Sequence, residues 1–194
     1  MAIDLEALYI DLHRHPELSF QETRTAGVIT RELAALGLDY VEGLGKTGVA
    51  TAITGGAGEG GPVVWLRADM DGLPVAEQTG LAYASTARGT DPAGTDVPVM
   101  HACGHDMHVT ALLGALERLV QTRDEWSGTV VAVFQPAEEY GADNITAYEY
   151  NLAGNAKSSI LGTAGFVKAI RVNDGPVVGI HMIGARVGEL VGEA

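Results

Sequence analysis

The stretch HVTALLGALERLVQTRDEWSGTVVAVFQPAEE, residues 108–139, decides the fold. Val109, Leu113, Leu116 and Val120 recur at helical spacing, which predicts a helix from about His108 to Thr122 with those residues inward. The run GTVVAVF (128–134) is short, apolar and β-branched, and predicts a buried strand. A helix that feeds into such a strand belongs to a domain in which helices cover a sheet.

Working towards the N-terminus, two more β-type runs appear, Gly48 to Thr54 and Val63 to Ala68. The glycine-rich GGAGEGG (55–61) separates them. Its GAGEGG (56–61) formally fits a dinucleotide-binding pattern, but Pro62 and a β-run follow where a helix is required, so it is expected to be a hairpin loop. Further upstream, Leu5, Leu8, Tyr9 and Leu12 share one helical face, and Pro16 ends that helix. Ser19 followed by Glu22 has the spacing of a capping box and predicts the start of a second helix. Ala26, Ile29, Leu33 and Leu36 form its apolar stripe, and Gly37 stops it. Residues 80–100 are polar and turn-rich. The expected class is therefore α/β, with helices packed on a mostly parallel sheet.

Composition bounds the function. Twelve basic against 25 acidic residues give a net charge of -13, which argues against a nucleic-acid partner, because phosphate contacts need clustered Lys and Arg. A single cysteine excludes an internal disulfide framework and suits a reducing cytoplasm. The N-terminus MAIDLEALYIDLHRH lacks a basic region followed by an apolar stretch, so no secretory signal is expected. No run approaches the length of a membrane span, and no membrane partner is expected.

Three short motifs concentrate the reactive side chains. LRADMDGLP (66–74) places Asp69 and Asp71 at the end of a strand expected to be buried, where alternation turns both to the same side. MHACGHDMH (100–108) sets Cys103 and His105 two apart on a loop with Gly104 between them. QPAEE (135–139) puts two adjacent carboxylates just beyond another strand. Each has a plain alternative: a turn or cap for the aspartates, a buried thiol beside a structural histidine, a solvated surface for the glutamates. Their joint placement at strand ends and a helix start favours a site. Thiolate, imidazole and carboxylate together suit zinc or a similar divalent ion. One glutamate could ligate the ion and the other carry a proton from water to a leaving amine, the ion lowering the pKa of that water to roughly 7.

LHRHPELSFQETRTAGVI, LRADMDGLPVAEQTGLAYAS, MHACGHDMHVTALLGAL and VFQPAEE together resemble the metal-dependent amidohydrolases of the hippurate hydrolase branch, which includes N-acyl amino acid deacylases and auxin-conjugate hydrolases. The resemblance runs from about residue 4 to Glu139. It implies a zinc-peptidase-like catalytic domain with two divalent ions per site (Zn, Mn, Co or Ni) and a small-molecule N-acyl amino acid as substrate. It implies that Cys103, His105 and Glu139 are metal ligands, that Glu138 is the general base, and that Asp71 is the supporting aspartate near the metals. His13 and His15 belong to the family's N-terminal helix motif and are expected to be structural. His101 and His108 flank the ligands and are expected to support them.

After Glu139 the texture changes. ITAYEY (145–150) predicts an exposed strand, and GFVKAIRV (165–172) and GPVVGIHMI (175–183) predict a hairpin turning at Asn173-Asp174-Gly175. Residues 185–194 look like a helix start. The segment 140–194, through KSSIL, GFVKAIRV and GIHMIGARVGEL, resembles part of the C-terminal interface domain of dihydrolipoamide dehydrogenase. The expected organisation is thus a truncated amidohydrolase domain, 1–139, joined to a partial interface domain, 140–194. His181 is expected to be a structural sheet residue. On this reading hydrolysis is impaired, since the family's later histidine ligands and lid do not follow Glu139. Two alternatives remain: a non-catalytic fragment whose interface piece drives homo-oligomerisation, and a cysteine hydrolase with Cys103 as nucleophile.

Overall fold

The computed structural model describes residues 2–58, 60–140 and the backbone of three strands beyond them. The chain divides into two compact units, Met1–Tyr140 and Gly141–Ala194.

In the first unit the order is α1 (Leu5–Arg14), α2 (Thr23–Ala35), β1 (Tyr40–Leu44), β2 (Gly48–Thr54), β3 (Val63–Asp69), β4 (Arg88–Thr90), β5 (Asp96–Pro98), α3 (His105–Gln121) and β6 (Thr129–Gln135). β1, β2, β6 and β3 form one sheet in that spatial order, and β4 and β5 form a separate hairpin. β2 pairs antiparallel with β6, Val49 opposite Phe134, while β3 pairs parallel with β6, Leu66 opposite Ala132. The α/β class holds, and the sheet is mixed: β3–β6 is the parallel pairing, whereas β1–β2 and β2–β6 are antiparallel.

Alternation along the strands builds the core. Val130, Ala132 and Phe134 of β6 face the helices together with Val49 and Ile53 of β2 and Ala68 of β3. They meet Leu8 and Leu12 of α1, Ile29 and Leu33 of α2, and Leu113 and Leu116 of α3. Burying each of these larger side chains contributes about 1.5–3 kcal/mol.

Four local expectations are corrected. Residues 55–61 do not close a hairpin, because β6 inserts between β2 and β3; the segment instead spans the end of β6, with Gly55 N–H donating to the Gly128 carbonyl and Gly56 N–H to Arg123. Ser19 and Glu22 form no capping box. The α2 N-terminus is capped by the Glu17 carboxylate, which accepts from the Arg24 and Thr25 N–H groups at 2.9 and 2.7 Å. β3 is not a buried strand over its first half, since it lies at the sheet edge and leaves Val63 63% and Trp65 69% exposed. Finally, α3 begins at His105 rather than His108. Gly104 is its N-cap with φ 83°, a left-handed conformation that glycine adopts without a Cβ clash.

In the second unit, β7 (Ile145–Asn151), β8 (Gly165–Val172) and β9 (Val177–Gly184) form an antiparallel sheet in that order. The expected pairing of the last two runs is present, with Lys168 opposite His181. The turn at 173–175, the helix start at 185–194 and the side chain of His181 lie outside the described residues.

Candidate metal centre

Every element that carries a reactive side chain ends at one place. β3 and β6 run parallel and both deliver their C-terminal ends there, Asp69 lying opposite Gln135, and α3 brings its N-terminus to the same point. This is where open α/β sheets place their sites.

His105 is the hub and is 4% exposed. Its Nδ1 donates to the Asp71 backbone carbonyl at 2.9 Å, which fixes the ring and leaves Nε2 to face the cluster. Nε2 stands 3.6 Å from Asp69 Oδ1, 3.7 Å from Glu138 Oε2 and 3.9 Å from Glu139 Oε1. Burial alone would lower the His105 pKa, but its contacts with Asp71 and the nearby Asp69 charge outweigh this and raise it. His108 lies one helical turn on, its ring stacked on that of His105 and its Nδ1 2.5 Å from Asp69 Oδ1.

Asp71 is 1% exposed, and both of its carboxylate oxygens are engaged. Its Oδ1 accepts from Glu138 N–H at 3.0 Å, and its Oδ2 accepts from Glu139 N–H at 2.9 Å and from Ser19 Oγ at 2.6 Å. Burial pushes its pKa up, and the bonds from His105, Ser19 and the two backbone N–H groups bring it below the usual carboxylate value. Glu22, fully buried, completes the frame: it accepts from Ala137 N–H at 2.7 Å and from Thr47 Oγ1 at 2.6 Å. Three consecutive N–H groups of the Ala137–Glu139 turn are therefore held by carboxylates from elsewhere in the chain. The turn presents the side chains of Glu138 and Glu139, 38% and 23% exposed, towards His105 Nε2.

Two sets of donor atoms lie within 4.8 Å of one another among the described residues: Asp69, His105 and His108, and His105, Glu138 and Glu139. Cys103 stands outside both. It is exposed, and its thiol is pushed up to about 11 by its hydrogen bond to Glu139, with burial and the Glu138 and Asp69 charges adding to the effect. Carboxylates around a thiol oppose the thiolate, so this environment does not activate a nucleophile.

The donor chemistry fits a divalent cation. Three carboxylates converge on one imidazole nitrogen whose orientation is already fixed, and that concentration of negative charge calls for a positive partner. His105, Glu138 and Glu139 come together; Asp71 lies behind the glutamates; Cys103 lies beside Glu139. Asp69 and His108 form a contact that the sequence reading did not foresee. Ser19 and Glu22 have the spacing of a capping box but serve the site instead, Ser19 bonding Asp71 and Glu22 bonding Thr47 and Ala137; Glu77 carried no usable signal, since a lone Glu is normally solvent-facing.

The family model for peptidase family M20/M25/M40 matches residues 65–188. N-acetylcysteine deacetylase of Bacillus subtilis is 42% identical over 173 residues, 87% of this chain and 42% of that protein. IAA-amino acid hydrolase ILR1-like 5 of Arabidopsis thaliana is 42% identical over 131 residues, 68% of this chain and 27% of that protein. A crystal structure from Bacillus subtilis, described as a dinuclear metal binding peptidase from the M20 family, superposes with a TM-score of 0.61 at 44% identity, covering 70% of this chain and 35% of its own. The chain thus spans less than half the length of these relatives.

Proposed function

We propose, on the premise that this chain belongs to the M20/M25/M40 peptidase family, that its first unit carries the metal centre of an amidohydrolase acting on small N-acyl amino acids. The observation that carries this reading is the convergence of Asp69, Glu138 and Glu139 on the Nε2 of a His105 already held through its other nitrogen. The deacetylase and amino acid conjugate hydrolase names of the relatives support the substrate class.

In this proposal His105, Glu139 and Cys103 hold divalent metal, with a second ion nearby as in the dinuclear relative. Such an ion supplies Lewis acidity toward the amide carbonyl and the attacking water. Glu138 is the more exposed of the pair and is fixed only through its backbone N–H, so its carboxylate is free to move a proton. It takes one from the water as the water oxygen bonds to the amide carbon, and returns it to the nitrogen as the C–N bond breaks. Asp71 takes no part in that transfer; it orients His105 and the turn that bears both glutamates.

Elemental analysis of the 194-residue chain beside a Cys103→Ser, Glu139→Gln double variant tests the ligand set. Divalent metal retained by the chain and lost by the variant is the expected result. Equal metal in both would remove these residues from the site. Hydrolysis of N-acetylcysteine or N-benzoylglycine, compared with Glu138→Gln, tests the base; equal turnover in the two would refute its role.

We further propose, from the resemblance of its sequence alone, that residues 140–194 form an interface piece like that of dihydrolipoamide dehydrogenase. The M20/M25/M40 match to residue 188 and the 173-residue match to the deacetylase both run into this segment and favour an amidohydrolase origin for it instead. A discrete oligomer formed by residues 140–194 in size-exclusion chromatography supports the interface reading, and aggregation counts against it.

A further inference from the structure

Behind the metal centre lies a second cluster of buried ionisable groups that the proposed hydrolysis does not use. His13, in the last turn of α1, is 5% exposed. Its Nδ1 lies 2.6 Å from Asp106 Oδ2 and its Nε2 lies 3.1 Å from Glu77 Oε1, and both carboxylate side chains are almost fully enclosed. Ionised carboxylates only accept hydrogen bonds, so an imidazole that serves one at each nitrogen must donate twice and carry both protons. Tyr9 and Tyr83 pack their rings against the imidazole at 5.6 and 5.4 Å.

Each end of this cluster leads somewhere. Asp106 follows His105 directly, in the first turn of α3, where its other oxygen accepts from Met107 N–H at 2.8 Å. Glu77 accepts from Ser85 N–H and from Thr79 Oγ1, and so folds the 77–85 segment onto the end of α1. Arg14 Nη2 adds a bond to the Ala82 carbonyl from the same helix end. One imidazole therefore joins three parts of the chain that are remote in sequence.

We propose that His13 is a positioning residue for His105: as an imidazolium it locks the first turn of α3 and the 77–85 segment to the end of α1. The consequence for metal binding rests on the amidohydrolase reading; the lock itself does not. Burial opposes the charge on His13, but the bonds to Asp106 and Glu77 outweigh it and raise its pKa, while those to Thr79, Ser85 and His13 bring Glu77 below its usual value against the effect of burial. The other titratable groups beside His13 are Tyr9 and Tyr83, whose rings pack on it, and His101, which burial pushes down to about 4. The sign follows. A raised imidazolium holds the lock fully below the ordinary histidine pKa and releases it as pH rises through the folded value. On the acid side, Glu77 gives up its contribution as pH falls through its own depressed value.

Amide hydrogen exchange on the full chain, with and without cobalt(II), tests this. In His13→Gln, whose single amide cannot donate to both carboxylates from one place, exchange at 79–85 and at 106–109 should quicken at least about tenfold through local opening. The β2 and β6 amides should keep their protection. His13→Gln with Glu77→Gln, which removes the stranded carboxylate, should recover part of the protection at 106–109. In the wild-type chain, the same two segments should lose protection together as His13 deprotonates, followed by its imidazole resonance; this arm holds even where the variant fails to fold. Cobalt affinity should drop roughly tenfold in His13→Gln, the scale of losing a group that supports a ligand. Unchanged exchange in both segments, or a His13 that titrates at or below the ordinary value, overturns the proposal. A wild-type chain that takes up no cobalt refutes the metal reading instead, and leaves the exchange result to decide the lock.

Discussion

Replacing Asp71 by asparagine isolates the frame of the glutamate turn. The carboxylate accepts three hydrogen bonds, from Ser19 Oγ, Glu138 N–H and Glu139 N–H. An amide has a single acceptor oxygen. Placed where Oδ2 now lies, it keeps Ser19 and Glu139 and turns its own N–H₂ against Glu138 N–H. One bond to a charged acceptor is lost, a cost of about 1.5–3 kcal/mol, and the surviving two weaken to neutral bonds, for a total of about 2–4 kcal/mol. With a urea slope of about 2 kcal/mol per molar, the midpoint should fall by about 1–2 M. Trp65 and Trp126 both lie in the first unit, so their fluorescence reports that unit alone. The pH dependence gives a second check. The Asp71 pKa is lowered on folding, so its contribution is present above the unfolded value and is lost as pH falls through the folded one. The gap between wild type and Asp71→Asn should therefore narrow in acid. A midpoint that moves by less than about a tenth of its value, or a gap that ignores pH, would refute the reasoning.

Other perturbations reach the same frame by different routes. Glu22→Ala removes both the Thr47 and Ala137 bonds and leaves a void, so it should cost about 3 kcal/mol by urea unfolding, with Glu22→Gln milder; equal effects of the two would rule out the hydrogen-bond account. Gly48→Ala would place a Cβ 2.5 Å from the Leu44 carbonyl oxygen and 2.8 Å from Pro136 Cδ, so it should destabilise by about 1–3 kcal/mol; a neutral result in thermal unfolding would show that the β1–β2 turn yields. If Cys103 ligates zinc, binding must displace the proton from a thiol whose pKa is about 11. Calorimetric titration in two buffers should then show about one more proton released by the wild type than by Cys103→Ser, and equal release would exclude the cysteine.

Sequence reading succeeded where one residue type has one dominant physical use. Leu113 and Leu116 at helical spacing, and Val130, Ala132 and Phe134 at alternate positions, specify a helix face and a strand face because no other arrangement buries them. The reading of His105, Glu138 and Glu139 as neighbours rested on their places at element ends, and parallel pairing of β3 with β6 is what makes those ends coincide. It failed where the partner is distant. Glu22 has the spacing of a cap but is claimed by Thr47 and Ala137, while Glu17 serves the helix instead. β1 shows no alternation because all five of its residues are exposed. GGAGEGG reads as a hairpin loop because nothing near it announces that β6, more than sixty residues later, separates its flanking strands. His13 offered only its place in a helix motif, and the carboxylates that charge it come from positions 77 and 106.

The Ala137–Glu139 turn is fastened to distant carboxylates through its main-chain N–H groups, with Ala137 itself at φ 54°. The fasteners see the peptide bonds and are indifferent to the side chains they hold out. A population of variants at 138 and 139 screened for folding would therefore pass almost any polar pair. The same indifference makes this turn a place where evolution, or a designer, can exchange the side chains it presents while leaving the scaffold's thermodynamics alone.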